Sequence, residues 1–331
     1  MNLKDVLLRQ LISAQKTDGF ISGEELAEQC NISRTAVWKA VNALRKQGAK
    51  IEAVTNRGYR LIDSEIFNAE AVNAKLPANS GIKIEFFQSI DSTNTEAKRR
   101  LALAPQGELH KTVFVAAMQT SGRGRLTGRT FYSPPATGIY LSLVWNNGNI
   151  AAPAKITAVA AVAVCRALKN IYDADAKIKW VNDIYIGKKK VCGILTEGTA
   201  NFESGRIESA IIGIGVNISA DGMPDNLKNI AGGVIKNGEK MKRSDLTAAI
   251  ITEIVELLDG GKIKTAEAMQ EYKSRSNLIG KAIKVSPVVD DSKTDYTCTA
   301  IGITDEAKLE VQLSDGTIKY LDSGEVSLHT D

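Results

Sequence analysis

Residues 119–131 read QTSGRGRLTGRTF, with three arginines and three glycines in one short polar segment. A β-forming run, Thr112 to Met118, precedes it, and Tyr132-Ser133-Pro134-Pro135 follows. Consecutive prolines exclude a helix there, because proline lacks the N–H and restricts the residue before it. The segment is therefore expected to be a long loop at a strand end. Glycine admits close approach of a ligand, and arginine presents a fixed fork of donors to carboxylate or phosphate. Either the loop closes over an anion, or it is a mobile basic surface loop.

The rest of the chain narrows the class. Its 331 residues allow two or three domains, and 44% apolar with 24% charged residues is an ordinary globular balance. No 18-residue apolar run exists, and residues 1–20 lack the apolar core of a signal peptide. The four cysteines (Cys30, Cys165, Cys192 and Cys298) form no CxxC, which fits thiols in a reducing cytoplasm. His110 and His329 are the only histidines, which argues against a histidine-based zinc site or triad.

The net charge of +4 is concentrated in residues 1–62, which hold 10 basic and 6 acidic side chains. Within residues 34–60, seven basic residues face one acid, Glu52. Such a patch fits a phosphate-rich partner. Leu3, Val6, Leu7, Leu11 and Ala14 recur at helical spacing, Ser22 to Glu25 is a capping box, and Ser33 caps a third helix ended by Gly48. Two short strands follow, around Thr55-Asn56-Arg57. Helix, helix, turn, helix and hairpin form the order of a winged helix-turn-helix. Its candidate DNA contacts are Arg34, Thr35, Lys39, Asn42 and Arg45 on the third helix, with Arg57 at the hairpin tip. A three-helix protein-interaction domain is the competing reading, and Trp38 receives no role.

In residues 64–277, a helix is expected over Glu65–Leu76 and another from about Thr95 to Ala104. Ser92, Thr93 and Asn94 are either donors for a neutral polar ligand or helix caps. Gly138–Trp145 reads as a strand and Ile156–Tyr172 as a buried helix. Lys177–Ile186 reads as a strand interrupted by Asn182-Asp183, a pair that serves Mg²⁺ and ATP or else makes a turn. Lys190–Glu197 and Arg206–Ser219 are further strands, and glycines inside the second mark a close approach. The long segment 220–238 is expected to be a lid or binding loop. Residues 278–331 give short strands with a hairpin at Asp315-Gly316, a small barrel-like β domain without catalytic residues.

No GxxxxGK[ST] is present, and Gly122-x-Gly124 lacks the third glycine of a dinucleotide fingerprint. What remains is an arginine clamp, a strand lysine and an Asn-Asp pair, parts suited to activating a carboxylate with ATP.

SRTAVWKAVNALR with NRGYRL, then DSTN, Gln119, SGRGR, KWVND, KVCGILTE and GIGVN, in this order, resemble the biotin–protein ligases that double as biotin-operon repressors. The resemblance covers essentially the whole chain. It implies an α+β multidomain protein: a winged helix-turn-helix (1–63), a mixed-sheet catalytic domain like the class II aminoacyl-tRNA synthetases (64–277), and an SH3-like β-barrel (278–331). It implies that biotin and ATP, with Mg²⁺ as counter-ion, give biotinyl-5′-AMP, and that a lysine of the biotin carboxyl carrier protein then takes the biotinyl group. By that resemblance Ser92, Thr93, Asn94 and Gln119 meet the biotin head group. Arg123, Gly124 and Arg125 lie in the loop over biotin and adenylate. Lys190 meets the carboxylate and α-phosphate, and Gly193 admits the ligand. Asn182, Asp183 and Asn217 serve the nucleotide, and Asp183 is also a candidate base for the acceptor lysine. No bound metal belongs to the protein itself. The family further implies a homodimer promoted by biotinyl-AMP and bound to operator DNA, with no membrane association.

Two departures stand out. Leu126-Thr127 adds one residue to the family's GRGR-x-GR loop, displacing Arg129 and Phe131 relative to Arg123. Val181 stands where the family has proline, leaving that stretch less restrained. Two rivals stay open: a ligand-sensing transcription factor that only binds the adenylate, and a lipoate or octanoyl ligase on the same fold.

Overall fold

The computed structural model describes all residues except 1–2, 15–18, 47–48, 65, 127, 147–152, 201–206, 237–238, 287–293, 323–324 and 329–331. Gly48, Glu65, Thr127, Arg206, Gly238 and His329, to which readings above refer, lie outside the described set. The chain forms two compact units, one of residues 1–80 with 241–248, the other of 81–240 with 249–331.

The first unit begins with α1 (Leu3–Ala14), α2 (Gly23–Cys30) and α3 (Arg34–Lys46). Ser22 Oγ accepts from Glu25 N at 3.0 Å and Ser33 Oγ from Ala36 N at 3.2 Å, so both helices start where a serine satisfies an otherwise orphaned donor. Asn31, in the left-handed region at φ 51°, turns the chain between α2 and α3. Val37, Ala40, Val41 and Leu44 form the buried stripe of α3 and pack with Leu7, Leu8, Leu11 and Leu26. The wing is β1 (Ala49–Val54) paired antiparallel with β2 (Gly58–Ser64). At Gly58, φ is +99° and a Cβ would lie 2.2 Å from Ile21 O, so only glycine lets the wing pair with residue 21. The helix expected over Glu65–Leu76 is shorter, α4 (Ala69–Asn73), because Asn68 caps it and accepts from Ala71 N.

The second unit is built on a seven-stranded mixed sheet. Its strands are β3 (Lys83–Phe87), β4 (Thr112–Ala116), β5 (Gly138–Trp145), β6 (Lys177–Lys179), β7 (Asp183–Ile186), β8 (Lys189–Ala200) and β9 (Ile207–Asn217). The order is β3-β4-β5-β9-β8-β7-β6, parallel only between β3 and β4. Helix α5 (Thr93–Leu101) packs on one face. On the other lies α6 (Pro153–Tyr172), whose Thr157 Oγ1 meets Thr196 Oγ1 at 2.8 Å. The run expected as one interrupted strand is a hairpin, β6–β7, turning at residues 180–182, and its Trp180–Val181 peptide is cis.

Segment 220–238 contains one turn of helix, α7 (Asp225–Lys228). Helices α8 (Arg243–Asp259) and α9 (Gly261–Ser274) follow. Then β10 (Ala282–Ser286), β11 (Tyr296–Ile303), β12 (Leu309–Gln312), β13 (Ile318–Leu321) and β14 (Glu325–Leu328) form an antiparallel sheet ordered β13-β12-β11-β10-β14. The last strand, not foreseen from sequence, pairs with β10. Trp180 Nε1 donates to Ala307 O at 2.8 Å, tying this sheet to the β6–β7 turn. Among the described residues, no helix is long and apolar enough to cross a membrane.

Candidate active site

The face of the central sheet opposite α6 carries a bare patch. Register places Tyr140, Gly215, Gly193 and Asp183 in one row across β5, β9, β8 and β7, with Ser142, Gly213 and Leu195 in a neighbouring row. Three glycines on two adjacent strands leave backbone where side chains would stand. The pocket above them encloses about 470 Å³, open solvent at its mouth included.

The arginine stretch rises over this floor as a small hairpin. Gly124 N donates to Arg129 O at 2.8 Å, Phe131 N donates to Gly122 O at 2.9 Å, and Arg123 bridges to Thr130. The hairpin delivers the Phe131 ring onto the glycines: a Cβ on Gly215 would sit 2.5 Å from it. Phe131 also meets Tyr140 edge to face, with centroids 6.4 Å apart. Arg129 does not line the pocket, whereas Arg123, Gly124 and Arg125 do.

One end of the pocket is neutral and polar. Ser92 is the N-cap of α5, accepting from Thr95 N at 3.4 Å, and the helix starts two residues earlier than its periodicity indicated. Thr93 and Asn94 point inward and are only 3% and 4% exposed. The cap reading of this triplet thus holds for Ser92, while Thr93 and Asn94 line the pocket. Gln119 Oε1 accepts from Thr93 N at 2.9 Å, and Gln119 Nε2 donates to Ser133 Oγ at 2.9 Å. Ser142 Oγ lies 2.7 Å from Thr93 Oγ1 and 2.5 Å from Asn94 Oδ1.

The other end is cationic. A bulge in β8 decides which way Lys190 points: Tyr185 pairs with Lys190 but Ile184 with Cys192, leaving Val191 as the extra residue. Strict alternation would put Lys190 on the face of buried Cys192, against α6. The bulge moves it to the face of Asp183 and Gly193. There its Nζ lies 2.6 Å from Asp183 Oδ1, an ion-pair distance without hydrogen-bond alignment. The same Nζ would be 3.3 Å from a Cβ on Gly193. The Lys190 backbone is held as well, its N donating to Ile230 O at 3.0 Å and its O accepting from Gly232 N at 2.9 Å. Asn182 lines the pocket from the β6–β7 turn while its Nδ2 donates to Ile194 O at 2.9 Å. Burial, then the Asp183 charge, pushes the Tyr185 phenol up to about 12 and raises Tyr272 further, so both stay neutral donors.

Ten of the expected site residues thus line one pocket: Ser92, Thr93, Asn94, Gln119, Arg123, Gly124, Arg125, Asn182, Lys190 and Gly193. Asp183 reaches it through Lys190. Asn217 stands one step along the glycine face, opposite Gly138, and does not line the pocket. Sequence reading assigned no site role to Phe131, Ser142 or Glu197. The strand glycines signalled a close approach, but not that the Phe131 ring makes it. Glu197 collects Lys98 Nζ at 2.7 Å, Asn94 Nδ2 at 2.9 Å and Arg123 Nη1 at 3.4 Å. Burial opposes its ionisation, but hydrogen bonds from Lys98 and Asn94 and the charges of Lys98 and Arg123 outweigh burial, holding the carboxyl below its ordinary value.

On the first unit, Arg34, Thr35 and Lys39 are exposed on α3, and Trp38 is 56% exposed beside them. Arg45, expected on the same face, gives its guanidinium to Ile51 O at 2.7 and 3.0 Å and to Asn42 Oδ1 at 3.3 Å, tying the helix to the wing. The Arg57 guanidinium stacks 4.0 Å from the Phe20 ring centroid.

Comparison with known proteins agrees with this layout. The biotin/lipoate A/B protein ligase family matches residues 86–217, and an HTH domain matches residues 7–60. The bifunctional ligase/repressor BirA of Bacillus spizizenii is 36% identical over 75% of this chain and 77% of its own. Its Escherichia coli counterpart is 28% identical over 97% of both chains. The biotin protein ligase of Aquifex aeolicus, solved with biotin and ATP, superposes with a TM-score of 0.63 at 26% identity, covering 75% of this chain and 99% of that one. With a helix-turn-helix unit and a biotin–[acetyl-CoA-carboxylase] ligase unit in one polypeptide, the chain belongs to the family of bifunctional biotin ligase/repressors.

Proposed function

We propose that the pocket joins biotin to ATP as biotinyl-5′-AMP and passes the biotinyl group to a lysine of the biotin carboxyl carrier protein. The observation that carries this reading is the pocket's polarity. A neutral cluster (Ser92, Thr93, Asn94, Gln119) lies at the Gly213 end of one glycine floor and Lys190 at the Gly193 end, with Arg123 and Arg125 on the loop that lines the same pocket. A urea head group suits the first end and a carboxylate beside a phosphate the second, with Phe131 over the apolar middle.

Bringing a carboxylate onto an α-phosphate opposes two anions. At an effective dielectric of ~20, unit charges ~4 Å apart repel by about 4 kcal/mol. Lys190, Arg123 and Arg125 offset that repulsion where negative charge gathers in the transition state. The ligand anions take over Lys190 from Asp183, which is then placed to accept a proton from the incoming lysine. Asn182, Asp183 and Asn217 mark the nucleotide side. Among the described residues, no cluster of three acidic, histidine or cysteine side chains could hold a metal. Mg²⁺, as the counter-ion of ATP, would supply further charge neutralisation there.

The same reading makes biotinyl-5′-AMP the corepressor, promoting a homodimer that binds operator DNA in the cytoplasm. The functional boundaries then fall near residues 63 and 277. Arg34→Ala combined with Lys39→Ala is expected to weaken operator binding by about 10- to 100-fold and to lower the salt dependence by about two counter-ions. Ligation should stay at the native rate; equal loss of both activities would sink the division of labour.

The direct test incubates the chain with ATP, Mg²⁺, biotin and the apo carrier domain, following carrier mass and pyrophosphate. A biotinylated carrier supports the reading. Biotinyl-5′-AMP without transfer would reduce the protein to a sensor, and turnover with lipoate alone would reassign its substrate.

A further inference from the structure

Asn94 is polarised from behind. Its Nδ2 faces two groups that can only accept, Glu197 Oε2 at 2.9 Å and Leu195 O at 3.2 Å. Its Oδ1 is therefore the atom 2.5 Å from Ser142 Oγ, and that contact has to use the serine proton. Ser142 has no second proton, so its 2.7 Å contact with Thr93 Oγ1 has to be donated by Thr93. Gln119 is the weaker competitor for the Thr93 hydroxyl proton. Its Oε1 is already supplied by Thr93 N at 2.9 Å and lies farther from the hydroxyl, at 3.2 Å. Every proton in the chain from Thr93 through Ser142 and Asn94 is thus drawn away from the pocket and toward Glu197. Thr93 Oγ1, at the pocket wall, is left with lone pairs.

We infer that Glu197 is a positioning residue that makes Thr93 Oγ1 an obligate acceptor, selecting a head group that donates an N–H at that point. Glu197 is suited to the task because its side chain is 17% exposed and Lys98 and Arg123 keep it charged, so it never turns round to donate. A cyclic urea supplies the N–H. The dithiolane ring of lipoate has none and would set sulfur against the threonine lone pairs. The inference rests on the head-group placement proposed above.

The test is a two-by-two set of Thr93→Val, Glu197→Gln and the double variant, with kcat, the KM for biotin, the KM for ATP and thermal midpoints measured for each. Glutamine keeps the size of Glu197 but brings a donor, so the relay is no longer set in one direction. Glu197→Gln is expected to raise the biotin KM about tenfold, leave the KM for ATP unchanged, and have no further effect on biotin KM in the Thr93→Val background. Multiplying effects in the double variant would overturn the inference. So would a fall in kcat with biotin KM unchanged, which would route Glu197 through Arg123, or a lowered midpoint with native kinetics. Should Thr93→Val alone leave the biotin KM at its native value, the head-group placement itself fails, a result distinguishable from a silent Glu197→Gln.

Discussion

Lys190→Met is expected to slow biotinyl-5′-AMP formation by about 10²- to 10³-fold, the range found when one preorganised charge-stabilising group is removed. The argument is geometric. The ammonium is 30% exposed in its side chain and held between Asp183 and the bare backbone of Gly193, so no mobile surface lysine replaces it. Methionine keeps most of the stem and its packing, removing only the charge. The change leaves the buried Oδ1 of Asp183 without its counter-ion, which costs on the order of 1–3 kcal/mol of stability. Single-turnover pyrophosphate release separates the two effects. A near-native burst rate would take Lys190 out of the chemistry, whereas a slow burst from a protein still folded at the assay temperature supports the role.

The second large effect comes from a single methyl group. In Gly213→Ala the new Cβ would fall 2.1 Å from Asn94 Oδ1 and 2.8 Å from its Cγ. Asn94 has nowhere to retreat: Ser142, Leu195 and Glu197 hold it at every polar atom, and it is 4% exposed. Moving it leaves buried polar groups unpaired, at about 1–3 kcal/mol each. Biotin affinity is expected to fall about 100-fold or more, with a destabilisation of about 1–3 kcal/mol from overpacking. Calorimetric titration with biotin, in the absence of ATP, reads the affinity directly. Native affinity in this variant would mean that Asn94 is not part of the head-group end.

How far the sequence foretold these positions depended on whether local chemistry or pairing set them. Ser22 and Ser33 announced their helices because capping is local, and the helical spacing of Leu3, Val6, Leu7, Leu11 and Ala14 announced α1. Two glycines between β-formers, Gly213 and Gly215, announced a close approach. The bulge at Val191 was not legible, because a register shift is a property of two strands, and without it Lys190 would have been placed on the wrong face. The wing contact of Arg45 was hidden for a related reason: its partner, the carbonyl of Ile51, is known only once the wing folds back. Glu197 lay inside a recognisable strand motif, yet its task depends on Asn94, about a hundred residues away.

The clasp on the Lys190 main chain carries one more implication. Ile230 and Gly232 grip the peptide groups of Lys190, whose amine is proposed to neutralise the ligand. The connector from Ala220 to Glu239 is therefore a strut as much as a surface excursion. Lengthening or shortening it near Ile230 would drag the ammonium off target without touching a single side chain in the pocket. Engineering of this enzyme is safer in the polar crest of the hairpin at Asp315-Gly316, whose backbone bonds, among the described residues, stay within the hairpin, than in that connector.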